Sequence, residues 1–260
     1  MEKSAKLGKL TLLNIILFGF IGQVAWAVEN NFFNTFLFSF GGTTKDISTM
    51  VAASAVVAVV TTFVMGTLSD KLGRRKVFIC AGYVAWGITV MAFAFISREN
   101  LGKLIGADPS SAAALSATVT TVIVMDCIMT FMGSTSNDSA FNAWITDVTV
   151  PSNRAKTEGL LAILPVLALV IVTGVFGFIA GDDAQASDYA TCFLGLGILV
   201  IICGIVGIFT IKDTGSGQKS DGNFFADLIY GFRPSVIKSH KCLYLSLACM
   251  GVYSIASQIF

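Results

Sequence analysis

Two runs without a charged residue, 47–65 and 77–97, flank the stretch Gly66-Thr67-Leu68-Ser69-Asp70-Lys71-Leu72-Gly73-Arg74-Arg75-Lys76. Each run is long enough to cross a bilayer as a helix, which takes roughly 20 apolar residues. The stretch between them is therefore a tight polar turn at a membrane surface. Its four cations, Lys71, Arg74, Arg75 and Lys76, mark that surface as cytoplasmic.

The rest of the 260 residues follows the same plan. Hydrophobic residues make up 55% of the chain and charged residues only 13%, about half the share in soluble domains. The chain reads as an all-α polytopic membrane protein. Seven apolar segments are expected, at 10–38, 46–70, 75–97, 113–147, 155–181, 188–211 and 240–260. Fourteen of the seventeen lysines and arginines then fall on one side of the membrane, in the tail, in the Gly66 turn, at Arg154 and Lys156 after segment four, and between Lys212 and Lys241. Lys45, Arg98 and Lys103 fall on the other. That split puts the N-terminus in the cytoplasm of a plasma-membrane protein. The lysine-rich start and Ala25-Trp26-Ala27 imitate a signal peptide, but the run is too long for a signal core, so it reads as a retained first helix. A net charge of +1 gives no reason to expect nucleic acid.

The turn also carries a resemblance. Gly66, Leu68, Asp70, Lys71, Gly73, Arg74 and Arg75, placed between the second and third segments, resemble the signature loop of the major facilitator superfamily of secondary transporters. Gly66 is expected to admit a close helix neighbour, Gly73 to take a conformation a side chain would penalise, and Asp70 to face an arginine or a helix N-terminus. The resemblance implies a six-helix half of that fold over residues 1–211, made of two three-helix repeats. It implies a central cytoplasmic loop over 212–239 and the first helix of a second bundle over 240–260, the rest of that bundle being absent from the chain, as in a fragment. In the loop, Phe224, Phe225, Leu228, Ile229 and Phe232 recur at helical spacing and Pro234 reads as a stop, so a short interfacial helix is expected after a flexible 213–223 linker.

Ionisable residues inside a bilayer are costly. Away from the helix ends there are three, Glu29 in segment one and Asp126 and Asp138 in segment four. By the resemblance, these two segments open the two repeats and line the central cavity. Glu29 and Asp126 fall near the midplane at about 1.5 Å per residue. At about 100° per residue, Gly19, Gln23, Trp26, Asn30 and Asn34 share one stripe with Glu29 at its edge. Asp126, Thr130, Gly133, Asn137 and Trp144 share another. An aromatic ring among amides suits a sugar-like or polar solute. Gln23, Trp26, Asn30, Asn34, Thr130 and Asn137 are the candidate solute contacts, and Asp126 and Glu29 the candidate proton or cation sites. Asp138 lies about 120° from the stripe and is expected against a neighbouring helix. Asp147 and Arg154, at the end of segment four, are similar to the superfamily's second gate element. By that resemblance Asp147 pairs with Arg74 or Arg75, and the gate comprises Gly66, Asp70, Gly73, Arg74, Arg75, Asp147 and Arg154.

The six cysteines sit in or beside apolar runs with no Cys-x-x-Cys, and His240 stands between lysines at a helix entry. No metal, cofactor or enzymatic residue set is expected. Segment five lacks the Gly-Pro-x-x-Gly-Gly element of drug–proton antiporters. The acid of segment four is similar to sugar–cation symporters of the glycoside–pentoside–hexuronide type, although segment two has no acid of the sodium-coupled members. The expected activity is symport of a sugar or glycoside with a proton or another cation. The alternatives are a proton-coupled drug or metabolite exporter and an inactive or sensor half-transporter.

Overall fold

The computed structural model describes residues 7–180, 186–213, 224 and 228–259. Lys3, Lys6, Lys219, Phe225 and most of the expected linker lie outside them. Among the described residues all regular structure is helical: α1 (Lys9–Ser39), α2 (Thr44–Leu72), α3 (Arg75–Ala92, with a 3-10 turn to Phe95), α4 (Arg98–Ile105), α5 (Ala112–Gly133), a π-helical stretch (Ser134–Phe141), α6 (Asn142–Val148), α7 (Pro151–Leu161), α8 (Leu164–Ala180), α9 (Ala186–Thr210), α10 (Pro234–Ser239) and α11 (Lys241–Ile259).

Among the described residues six spans are long and apolar enough to cross a membrane: α1, α2, α3 with its 3-10 turn, α5 through α6, α7 with α8, and α9. Local chemistry sets their ends. Thr43 caps α2 in a capping box with Asp46, whose Oδ2 accepts the Thr43 N–H at 2.8 Å. Ser111 caps α5 through the Ala114 N–H at 3.2 Å. Gly73 ends α2 in the left-handed region, at φ 60°, with its N–H on Ser69 O at 3.0 Å. A Cβ there would be strained.

Six of the seven expected segments fall on these spans, with three local differences, while the seventh, 240–260, falls on α11, which is not among them. Residues 98–112 contain the short helix α4, capped by Ser97 and closed by Gly106 at φ 68°. The fifth span begins earlier, at Pro151, and is broken between Leu161 and Leu164. Pro165 accounts for the break, because it donates no N–H and its ring crowds the carbonyl four residues back. Pro234 does more than stop the preceding turn, since it opens α10 as an N-terminal proline.

The packing has internal symmetry. The third and sixth spans run along each other. The first packs on the fifth and sixth, and the fourth packs on the second and third. Exchanging spans one to three with spans four to six leaves this pattern unchanged, as in a bundle of two three-helix repeats. Residues up to Lys219 form one compact unit. Its core includes Trp86, Trp144, Tyr83, Phe18, Phe33, Phe36 and Phe193. The second and fifth spans are the least buried, and turn Val56, Val59, Val60, Val166, Val170 and Phe178 outward. The residues from Ser220 form a separate small unit. There the Tyr244 hydroxyl donates to Gly231 O and the Arg233 guanidinium lies over the Tyr230 ring.

Candidate functional site

The bundle has an open polar cavity of about 390 Å³. From α1 come Gln23, Trp26, Glu29 and Asn30, one helical stripe. From α2 come Val51, Ser54, Ala55 and Ala58, small enough to leave the space open. From the fourth span come Thr130 and Asp138. By contrast, a second cavity of about 400 Å³, between α1, α8 and α9, is walled almost wholly by apolar side chains such as Val28 and Phe176.

Four of the six expected solute contacts line the polar cavity: Gln23, Trp26, Asn30 and Thr130. Asn34 is not part of its wall. Asn137 lies behind it, 4% exposed. Its Nδ2 donates to the Tyr83 hydroxyl at 2.7 Å, its Oδ1 accepts from Trp26 Nε1 at 3.4 Å, and the Tyr83 hydroxyl donates to Phe18 O at 2.7 Å. This chain ties α1, α3 and the π-helical stretch together. In a membrane such a hydrogen bond contributes about 0.6 kcal/mol.

The acids are placed differently from the periodicity argument. Glu29 is in the wall. The Thr130 hydroxyl donates to its Oε1 at 3.1 Å, while Oε2 is shut off from solvent and has no hydrogen-bond partner. Asp126, expected on the cavity face, is 1% exposed and sits behind the wall beside the Ser54 hydroxyl, with Oδ1 unpartnered. Asp138, expected against a neighbouring helix, is in the wall. Its Oδ2 accepts from the Ser134 hydroxyl at 3.0 Å, near the Trp26 indole. The π-helical stretch explains the change. Hydrogen bonds to the fifth residue put more residues in each turn, so each residue advances less around the axis and Asp138 falls near Thr130. The run Ser134-Thr135-Ser136 just before it is the available sequence signal: the Thr135 and Ser136 hydroxyls bond back to Phe131 O and Met132 O at 2.7 and 2.8 Å, a habit that competes with regular helix.

Glycines set the close contacts around this stretch. At Gly66 an added Cβ would lie 3.5 Å from Ser139 Oγ, an ordinary contact, so the tight approach expected there lies elsewhere. At Gly22 it would strike the Asn137 amide and come within 2.8 Å of the Tyr83 hydroxyl. Gly22→Ala is therefore expected to destabilise the bundle by about 1–3 kcal/mol, the usual cost of overpacking. Thermal unfolding in detergent measures it, and an unchanged midpoint would contradict the close approach.

At the signature-loop end, Arg75 is the hub. It is 9% exposed. Its Nη1 contacts the Asp70 carboxylate and donates to Ser69 Oγ at 2.6 Å, and its Nε donates to Asp147 Oδ2 at 3.2 Å. Of the two arginines expected to meet Asp147, it is Arg75 that does so, and Arg74 is exposed. Arg154 turns to the end of α6, donating to Thr146 O at 2.8 Å and Thr149 Oγ1 at 3.2 Å. Asp213, just after α9, accepts the Lys76 N–H at 3.0 Å and so closes the start of α3. No residue pattern in the sequence announced that contact.

The family model described as Major Facilitator Superfamily matches residues 15–260. The chain belongs to the major facilitator superfamily. No curated protein and no solved structure matches it. Six apolar spans and this membership make it a multi-pass membrane protein of a transporter family whose substrates are small molecules.

Proposed function

We propose that the bundle serves a secondary active transporter. It moves a small polar solute, in the size range of a sugar or glycoside, by alternating access, and a proton or another cation held at Glu29 and Asp126 drives it by symport. The observation that carries this reading is a polar cavity with Glu29 and Asp138 in its wall and Asp126 behind it, an oxygen of Glu29 and one of Asp126 being buried and unpartnered. Such oxygens are costly unless a proton or cation meets them. The cavity volume of about 390 Å³ is within the usual range for small-molecule sites. The junction of Asp70, Arg75 and Asp147 acts as the cytoplasmic latch, holding α2, α3 and α6 together while the other side is open.

The test is uptake of a panel of labelled sugars and small amines into liposomes carrying the purified protein. At least one solute is expected to accumulate when a proton gradient is imposed, and to stop accumulating when a protonophore dissipates it. Equal uptake with and without the gradient would reject proton coupling.

A further inference from the structure

The charge balance of the polar cavity carries the reading of its solute one step further. Three carboxylates are gathered there: Glu29 and Asp138 in the wall and Asp126 behind it. No lysine, arginine or histidine occurs in residues 10–44, 46–70 or 104–153, which include every segment that walls the cavity. The bundle therefore supplies no countercharge.

We propose that the solute is an organic cation, a molecule carrying a protonated amine or guanidinium together with hydrogen-bonding groups. This rests on the cavity being the transport site. Glu29 is the anchor, which leaves Asp126 to hold the coupling proton. Thr130 fixes one of the Glu29 oxygens, and the other has no partner among the protein's own groups. Asp138 adds a second carboxylate to the wall, with Oδ2 held by Ser134 and the Trp26 indole beside it. A charged donor meeting a carboxylate makes one of the strongest hydrogen bonds available to a solute. Trp26 lines the same space, and an indole ring attracts a cation brought against its face. The amides of Gln23 and Asn30 accept or donate as the rest of the solute requires. A neutral sugar would use the amides and leave the carboxylates to be met by protons alone.

A bare metal ion suits the site less well. Calcium collects about six to eight oxygens at close range. Among the described residues no group of three or more acidic, histidine or cysteine side chains comes close enough together to hold an ion. Two of the carboxylates, Glu29 and Asp138, instead line a cavity of about 390 Å³ and the third lies behind its wall.

The test uses the purified full chain in detergent, with agmatine as the cationic probe and methyl β-galactoside as the neutral one. Agmatine is expected to bind, and the galactoside not. Glu29→Gln and Asp138→Asn are each expected to weaken agmatine binding about tenfold or more, with thermal unfolding of the unliganded variants reporting whether each is folded. Either variant suffices if the other does not fold. Trp26→Leu is expected to weaken it several-fold. Binding of the galactoside without agmatine overturns the proposal, and so does the absence of agmatine binding or its survival in both acidic-residue variants. Counterflow in liposomes separates the two readings. Agmatine binding without counterflow removes transport and leaves the cation site, whereas counterflow of the galactoside alone leaves transport and removes the cation.

Discussion

Asp126→Asn is expected to abolish gradient-driven accumulation of solute while downhill exchange continues. Asp126 is suited to this because it does not touch the cavity. It is 1% exposed, beside Ser54, and next to Glu29 at the back of the wall. Two carboxylates side by side and away from water repel each other, so a proton or cation bound at one alters what the other can hold. A solute meeting Glu29 from the cavity can thereby change the occupancy of Asp126, which is the requirement for coupling. Asparagine keeps the shape and removes the site. The measurement is a pair of assays on the same vesicles, accumulation under an imposed gradient and counterflow without one. The expected loss of accumulation is complete, and the change in counterflow less than about threefold, since a group outside the cavity contributes little to binding energy. If Asp126→Asn accumulates solute as well as the parent does, Asp126 is a packing residue.

Much of the fold was legible in the sequence, for a physical reason. A span must be long, apolar and helical to cross a bilayer, so the segments 10–38 and 46–70 differ from α1 and α2 by only one or two residues at each end. The stripe Gln23, Trp26 and Asn30 was legible too, because α1 is regular and its period holds. What was not legible follows from departures from regularity. The π-helical stretch from Ser134 to Phe141 shifts every face after it, so a count at constant angle misplaced Asp138. The depth of Asp126 behind the wall depends on how closely α2 approaches, and its small residues Ser54, Ala55 and Ala58 set that. Asn137 looked like a solute contact because polarity alone does not tell a cavity-facing amide from one that bonds to Tyr83 on another helix. At the loop, residue types pointed to an arginine–aspartate contact but not to which arginine. That choice comes from Gly73, whose left-handed turn sends Arg75 inward and leaves Arg74 outside.

Arg75→Ala is expected to cost more than any other single change in the loop. It would leave Asp147, whose side chain is 20% exposed, without its cation, and Ser69 Oγ without its charged donor at 2.6 Å. Breaking a buried pair from one side costs roughly 3–5 kcal/mol, and partial exposure of Asp147 puts this case at the lower end. Asp70 adds less, because its side chain is 57% exposed and exposed pairs are weak. Three contacts meet on one planar guanidinium, and a lysine ammonium cannot reproduce that fork. Arg75→Lys should therefore fold better than Arg75→Ala but transport little faster. Asp70→Asn should slow transport and leave solute binding nearly intact, since the loop biases the balance of states and does not touch solute. Arg74→Ala, at an exposed position, should change stability by less than about 0.5 kcal/mol. Thermal unfolding and initial uptake rates across these four variants decide the matter. If Arg74→Ala is as damaging as Arg75→Ala, the loop works through its net positive charge at the membrane surface and the pairing with Asp147 is incidental.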